Sequence, residues 1–313
     1  MSKDKSFEMD FLGEKSVLVQ QDQTILHASL QAGIPHFHAC GGNAKCSTCR
    51  ILVHEGMQHL SEINEKESAL RKKISLPQNV RLACQTFVTG KPVRIKRIIR
   101  DQVDVYMYVH KADREGTHKI GEEKELALFF LDIRHFTPFM ETLLPFDVIH
   151  VTRRLFLIFQ KAINANNGKI IETAGDGLYA VFGLETAVED GATDAYNAGI
   201  TILKELHCFN NEYLKPHFLH SLYVGIGVHA GRVITGSIEV NKVDQMTVMG
   251  LPVNIASRLQ AATRELNNNF IASAYAYSLI KNKPQAESVC ILLKGISEEQ
   301  IVYLLGSAFP SFS

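Results

Sequence analysis

The sequence predicts an α+β protein of two domains, and three observations carry that prediction. Three of the six cysteines crowd together at Cys40, Cys46 and Cys49, between segments that alternate like strands. Beyond residue 125, short strand patterns interleave with long helical ones in the order βααββαββ, with further helix and strand patterns after it. Charge divides along the same line. Residues 1 to 100 hold 15 Lys and Arg against 9 Asp and Glu, so about +6, and the neutral 313-residue chain leaves about −6 for the rest. The expected organisation is a domain over residues 1–100, a linker over 101–124 and a second domain over 125–313.

Composition bounds the function. A chain that is 46% hydrophobic and 21% charged packs a core rather than staying disordered. A net charge of zero and a pI near 7.2 remove the general electrostatic argument for nucleic-acid binding. The start, "MSKDKSFEMDFLGEKSV", has no apolar core of signal-peptide length, and no apolar run approaches the ~18 residues of a membrane span. The expectation is a soluble, cytoplasmic protein, in which crowded cysteines point to metal or redox chemistry more than to disulfides.

In the first hundred residues, "KSVLVQ" and "CRILVHEG" alternate like strands, and "TILHASLQAG" reads as a short amphipathic helix closed by Gly33. "CGGNAKCSTCR" and "RLACQT" supply Cys40, Cys46, Cys49 and Cys84 in the spacing C-x5-C-x2-C-x34-C. Four thiolates satisfy a [2Fe–2S] cluster, which takes soft sulfur ligands. Gly41, Gly42, Asn43, Ala44, Ser47 and Thr48 are small enough for backbone N–H groups to approach the sulfurs. A zinc site prefers paired C-x2-C knuckles, and Cys84 has no close partner. A Rieske centre would need His36 and His38 to replace two cysteines, yet all four are present, so both read as loop histidines. Cys208 and Cys290 have no spacing relation to anything and read as small buried residues.

This pattern resembles the [2Fe–2S] ferredoxins of β-grasp fold over about residues 14 to 98, with the five-residue first gap of the adrenodoxin and bacterial type. The resemblance implies a redox partner protein. "GKPVRIKRIIR", Gly90 to Arg100, is basic at alternating positions; it is either a solvated last strand or a docking surface for an acidic partner or for the neighbouring domain. Residues 101 to 124 mix charges with Gly116 and Gly121 and lack clear periodicity, as a linker does.

The second domain opens on "ELALFFLDIRHFTPFM", whose apolar run Leu126 to Leu131 reads as a buried strand ending at Asp132. A helix is expected over about Pro145 to Asn166, closed by "NNG". "KIIETAGDGLYAVFG" reads as a hairpin about Ala174-Gly175-Asp176-Gly177, and a long helix is expected over about Glu185 to Tyr213. "LYVGIGVHAGRVITGSI" reads as a strand pair about Gly231, "DQMTVMG" as a strand and "LPVNIASRLQAATREL" as a helix. The order suits an antiparallel or mixed sheet rather than a regular βαβ alternation. With no G-x-G-x-x-G and no Walker A motif, nucleotide phosphates would be held another way.

Asp132 and Asp176, 44 residues apart at a strand end and a Gly-flanked turn, are not explained by core packing. Paired carboxylates converging across a sheet suit two divalent ions. Asn254 and Arg258 stand at i and i+4 and share a helix face. In sum, "FFLDIRHFT", "ETAGDG", "VGIGVHAGRV" and "TVMGLPVNIASRL" resemble, in order, the class III nucleotidyl cyclase catalytic domain over about residues 122 to 305.

That resemblance implies a ferredoxin-like α/β fold and a head-to-tail homodimer that converts a nucleoside triphosphate to a 3′,5′-cyclic nucleotide and pyrophosphate. It implies that Asp132, Ile133 and Asp176 hold two Mg2+ or Mn2+ ions. Phe136 and Thr137 would cradle phosphate, Asn254 would orient the ribose, Arg258 would neutralise charge at phosphorus and Lys294 would reach the triphosphate. The metal acids would come from one subunit and Asn254, Arg258 and the base-reading residues from the other. Two departures stand out: His135 where the family often has Gly, and Leu251-Pro252 where an acid often follows the Gly.

By the same resemblance Glu172 and Thr247 read the purine. Adenylate cyclases usually place Lys at the first position and Asp or Thr at the second, and guanylate cyclases Glu and Cys, so this pair is a hybrid. A carboxylate accepts from guanine N1–H and N2–H2 and repels the adenine N1 lone pair, while a Thr hydroxyl serves either base. GTP is therefore favoured, with ATP the alternative. A reading of another class also stands: an electron-transfer ferredoxin carrying a non-catalytic dimerisation or nucleotide-binding domain.

Overall fold

A computed structural model describes residues 6–100, 110–111, 119–240 and 243–310. The chain separates into two compact units, residues 1–108 and 109–313. Most of the segment expected as linker, 101–109 and 112–118, lies outside the described residues.

In the first unit, β1 (Ser6–Phe11), β2 (Ser16–Gln20), β3 (Arg50–Glu55), β4 (Val80–Leu82) and β5 (Arg94–Arg97) form a mixed sheet in the order β2-β1-β5-β3-β4. The β1–β5 pair is parallel and the other pairs antiparallel. The helix Ile25–Gln31 begins at Thr24, whose hydroxyl accepts from the His27 amide at 3.2 Å. It buries Ile25, Leu26 and Ala28 in the core that holds Met9, Val19, Ile51 and Leu82. This is a β-grasp arrangement, and β1, β4 and the helix Glu65–Lys73 are elements the sequence reading passed over.

Two buried arginines, each paired with a carboxylate, lock the unit. Glu67 is fully buried and accepts from Arg81 Nε at 3.1 Å and from the Leu82 amide at 3.2 Å. Arg97, 3% exposed, donates to Glu14 at 2.7 Å, to the Pro35 carbonyl at 2.7 Å and to the Arg100 carbonyl at 3.0 Å. The last strand is thus only partly solvated as expected: Arg94 is exposed, but Arg97 turns inward and ties residues 97–100 to the segment entering the cysteine loop.

In the second unit, ten strands among the described residues form one sheet, whose main path carries seven of them. Two short strands, β6 (His110–Lys111) and β7 (Lys119–Ile120), lie off this path beside β11. The central strands are β8 (Glu122–Arg134) and β11 (Tyr223–Val240), antiparallel from Tyr223↔Arg134 to Thr235↔Glu122. The hairpin β9 (Lys169–Ala174) and β10 (Gly177–Phe182) flanks β8, and β12 (Val243–Met249) pairs with the far half of β11. Beyond β11 come β13 (Phe270–Ser273), β15 (Gln300–Leu304) and β14 (Glu287–Ile291).

The period of two along β8 sorts its side chains. Ala127, Phe129, Leu131 and Ile133 enter a core with the helices Pro145–Ala165 and Val188–Phe209. Leu126 and Leu128 face the other way, in a core that includes Ala256 of the helix Leu251–Ala262. Asp132 continues this second row, so the expected metal acid shares a sheet face with the helix that carries Asn254 and Arg258.

Two features differ from expectation. β6, β7 and the first residues of β8 lie within 101–124, the stretch expected as linker, yet belong to the second unit's sheet. "LYVGIGVHAGRVITGSI" is a single strand, not a pair turning at Gly231. Gly231 sits mid-strand because a Cβ there would meet Pro252 Cγ at 2.7 Å. Gly225 and Gly227 share its face: a Cβ at Gly227 would overlap the Gln260 backbone, and one at Gly225 the Arg134 guanidinium. The glycines let the helix lie close on β11.

Candidate active site

Asp132 stands opposite Gly177 on β10 and Gly225 on β11. A Cβ at Gly177 would come within 3.3 Å of its Oδ1, so the bare partner strand leaves the carboxylate room. Asp176 occupies the β9–β10 turn, which Gly175 enters at φ +60°. Its carbonyl accepts from the Ile133 amide at 3.2 Å, which stitches the turn to β8 beside Asp132. Burial first, and the Asp176 charge second, push the Asp132 carboxyl above the usual carboxylate range. Arg134 and a Gln260 hydrogen bond oppose that shift.

Arg134 is the side chain the sequence reading missed. Nη1 lies 3.5 Å from Asp132 Oδ2, and Nη2 donates to the Gln260 carbonyl at 2.8 Å and to the Thr263 hydroxyl. Its Nε is buried with no partner, and burial lowers its pKa. Gln260 Nε2 donates to the Gly225 carbonyl at 3.2 Å, a second tie between the helix end and the sheet. The only advance signal was the Gly-x-Gly of β11, which leaves space for a neighbour.

Asp132, Ile133, Phe136, Thr137, Asp176 and Arg264 line one cleft of about 650 Å³. His135 takes φ 58° at the start of the helix Phe136–Thr142, a backbone that Gly adopts without strain. Glu172 is exposed on β9 opposite Tyr179, where a bulge shifts the register. It borders a smaller cavity of about 180 Å³ with Asp132, Gln260 and Tyr179, the last stacked on Phe130 at 4.5 Å. Thr247 is half-buried on β12 opposite Gly236. Asn254 and Arg258 are exposed on one helix, and Lys294 is exposed between β14 and β15. Within one chain, Thr247, Asn254, Arg258 and Lys294 do not line the cleft that holds Asp132 and Asp176.

Two hard carboxylates sharing one cleft, with the Asp176 charge adding to burial in raising Asp132, fit a divalent cation. Among the described residues no group of three or more His, Cys, Asp or Glu gathers at one point. The cysteines instead form two contacting pairs, Cys40 with Cys46 and Cys49 with Cys84. Two thiolates per iron is the division a two-iron cluster needs. Polar donors flank the sulfurs: Thr48 Oγ1 lies 3.1 Å from Cys46, and Gln85 Nε2 lies 3.3 Å from Cys84. Gly41, Gly42 and Ala44 turn the loop at positive φ. The residues present fit a [2Fe–2S] cluster. Cys290, expected to be buried, is exposed, with Sγ 3.3 Å from Glu299, and Cys208 is half-buried.

Comparison with known proteins decides the family. The adenylate and guanylate cyclase catalytic domain matches residues 118–306, more than half of the chain. The chain belongs to that family. The 2Fe-2S iron-sulfur cluster binding domain matches residues 11–89 of this cyclase-family chain. Adenylate cyclase 1 of Rhizobium meliloti (strain 1021) is 27% identical over 51% of the chain and 25% of its own length. The adenylate cyclase of Anabaena cylindrica is 29% identical over 54% of the chain and 33% of its own length. The chain therefore spans about a third or less of these relatives. In fold, the second unit is similar to the adenylyl cyclase CyaB from P. aeruginosa (TM-score 0.54, 24% identity, 61% of this chain and 96% of that one). It is likewise similar to the guanylyl cyclase Cya2 (TM-score 0.55, 23% identity, 60% and 95%). No helix among the described residues is long and apolar enough to cross a membrane.

Proposed function

We propose that the protein is a purine nucleotide cyclase, working as a head-to-tail homodimer and regulated through its iron-sulfur domain. The reaction joins the ribose 3′-oxygen to the α-phosphorus, breaks the bond to the β-phosphate oxygen, and releases pyrophosphate and the 3′-hydroxyl proton. The observation that carries the reading is a division: Asp132 and Asp176 share a cleft, while Asn254 and Arg258 stand exposed outside it. Two copies placed head to tail would complete two sites from such halves.

Asp132, the Ile133 backbone and Asp176 would hold two Mg2+ or Mn2+ ions, which when bound supply activation of the 3′-hydroxyl and a clamp on the phosphates. Asn254 orients the ribose, and Arg258 offers a guanidinium fork to the charge that develops at phosphorus and on the leaving oxygen. Phe136 and Thr137 present backbone and hydroxyl donors to phosphate, and Lys294 adds a cation from the second copy. Glu172, whose carboxylate makes no hydrogen bond or ion pair among the described residues, accepts from guanine N1–H and N2–H2, with Thr247 donating to O6. GTP is the favoured substrate.

Complementation tests the shared site. Asp176→Asn and Arg258→Ala homodimers are each expected to lose turnover by 100-fold or more, on the order of the loss seen when a transition-state donor is removed, while keeping the cluster's visible spectrum. Mixed dimers should regain one working site. No recovery in the mixture would sink the shared-site arrangement. Cluster control has its own test, turnover compared in the oxidised and reduced states; equal rates would argue against it.

A further inference from the structure

We propose that Arg264 is a phosphate-binding residue of the metal-acid half of the site. It would take the β- or γ-phosphate of the nucleoside triphosphate before turnover and pyrophosphate after it. The assignment rests on the cyclase reading and adds to it a cation that acts in the same subunit as Asp132 and Asp176.

The geometry is local. Arg264 lies two residues beyond the helix Leu251–Ala262, where the chain turns toward Asn267. Arg258 lies on the helix itself and Arg264 beyond its end, so the two do not act from one helix face. Arg264 lines the 650 Å³ cleft with both acids and with Phe136 and Thr137, whereas Arg258 and Lys294 do not.

The charge there is unbalanced in a way that points to an anion. Arg134 is committed: it holds the Gln260 carbonyl, the Thr263 hydroxyl and the Asp132 carboxylate. Arg264 lines the same cleft as Arg134. Yet among the described residues the Arg264 side chain makes no hydrogen bond or ion pair of its own, and it is exposed to the cleft. A structural arginine would be matched by an acid or by carbonyls, as Arg81, Arg97 and Arg134 are in this chain. An unmatched guanidinium beside a second one, facing an open cleft, is satisfied by a polyanion whose oxygens accept from its fork.

The test uses the full-length protein carrying its cluster. Calorimetric titration with inorganic pyrophosphate in the presence of Ca2+ should show binding weakened about tenfold in Arg264→Ala, the lower end expected for one lost charge-assisted contact, and partly restored in Arg264→Lys. The KM for the nucleotide should rise by a similar factor, with kcat changed less. In mixed dimers of Arg258→Ala with Asp176→Asn chains, Arg264→Ala placed on the Arg258→Ala chain should weaken the one working site. Placed on the Asp176→Asn chain it should be silent. Pyrophosphate binding and KM within twofold of the parent would overturn the assignment, and so would an equal effect from either chain. Absence of cyclic product from the parent protein with both GTP and ATP would instead sink the cyclase reading, and the pyrophosphate titration would then decide Arg264 alone.

Discussion

At the scale of a single residue, the proposed preference for GTP rests on Glu172. Its carboxylate matches the donor edge of guanine and opposes the lone pair of adenine N1. Mispairing a charged group at such a contact costs about 1.5–3 kcal/mol, or 10- to 100-fold. Glu172→Lys should therefore lower kcat/KM for GTP by that range and raise it for ATP; a preference unchanged by the substitution would remove Glu172 from the base pocket. Asp132 makes a second prediction. Its pKa is raised in the folded state, so its contribution to stability is present at low pH and is lost as pH rises through that raised value. A divalent cation relieves the penalty on the ionised form. Mn2+ should raise the melting temperature of the wild type more at pH 8 than at pH 4.5, and should not do so in Asp132→Asn. His135 holds φ 58°, a conformation that strains β-branched side chains. His135→Val should melt below His135→Gly by about 1–2 kcal/mol.

At the scale of elements, the contact between β11 and the helix Leu251–Ala262 sets the site. Gly227 lies directly beneath the Gln260 backbone, where a side chain has no space. Gly227→Ala should cost about 1–3 kcal/mol by overpacking and should displace Arg134 and Asp132 together, seen as a lower melting temperature and weaker Mn2+ binding. His229, on the same strand, bonds Ser273 Oγ at 2.8 Å, and burial lowers its pKa to about 4. A depressed histidine stabilises above its unfolded value near 6.5, and that stability is lost as pH falls toward 4, roughly 3 kcal/mol in all. His229→Gln should flatten the acid limb of the unfolding curve between those values. These elements also show what was legible beforehand. The 3.6-residue period placed the helix Pro145–Ala165 almost to the residue, and acids at a strand end and a Gly turn marked Asp132 and Asp176. Gly231 misled, because a glycine that clears Pro252 reads the same as a glycine that turns the chain. Arg97, Arg134 and Arg264 were not legible for a related reason: a charged residue in a strand or after a helix looks solvated until its neighbours from distant segments are known.

At the scale of the whole molecule, two units of opposite charge follow one another along the chain, and residues 101–124 near their junction are rich in charge. The first unit holds two cysteine pairs fitted to a two-iron cluster, and Arg97 fastens its last residues, through Glu14 and Pro35, to the chain that enters the cysteine loop. Losing a charge-assisted hydrogen bond costs about 1.5–3 kcal/mol. Arg97→Ala should destabilise the first unit by that order and speed cluster loss, followed by the decay of the visible absorption. On the proposed head-to-tail arrangement the half-sites are complete only in pairs, so turnover should depend on protein concentration wherever the dimer dissociates. The central claim is that these halves cyclise a purine nucleotide. Its most direct test is product analysis on anaerobically purified protein of known iron content, given GTP or ATP with Mn2+. The account predicts cyclic nucleotide and pyrophosphate in equal amounts, faster from GTP. Nucleotide binding without cyclic product from either substrate would contradict it.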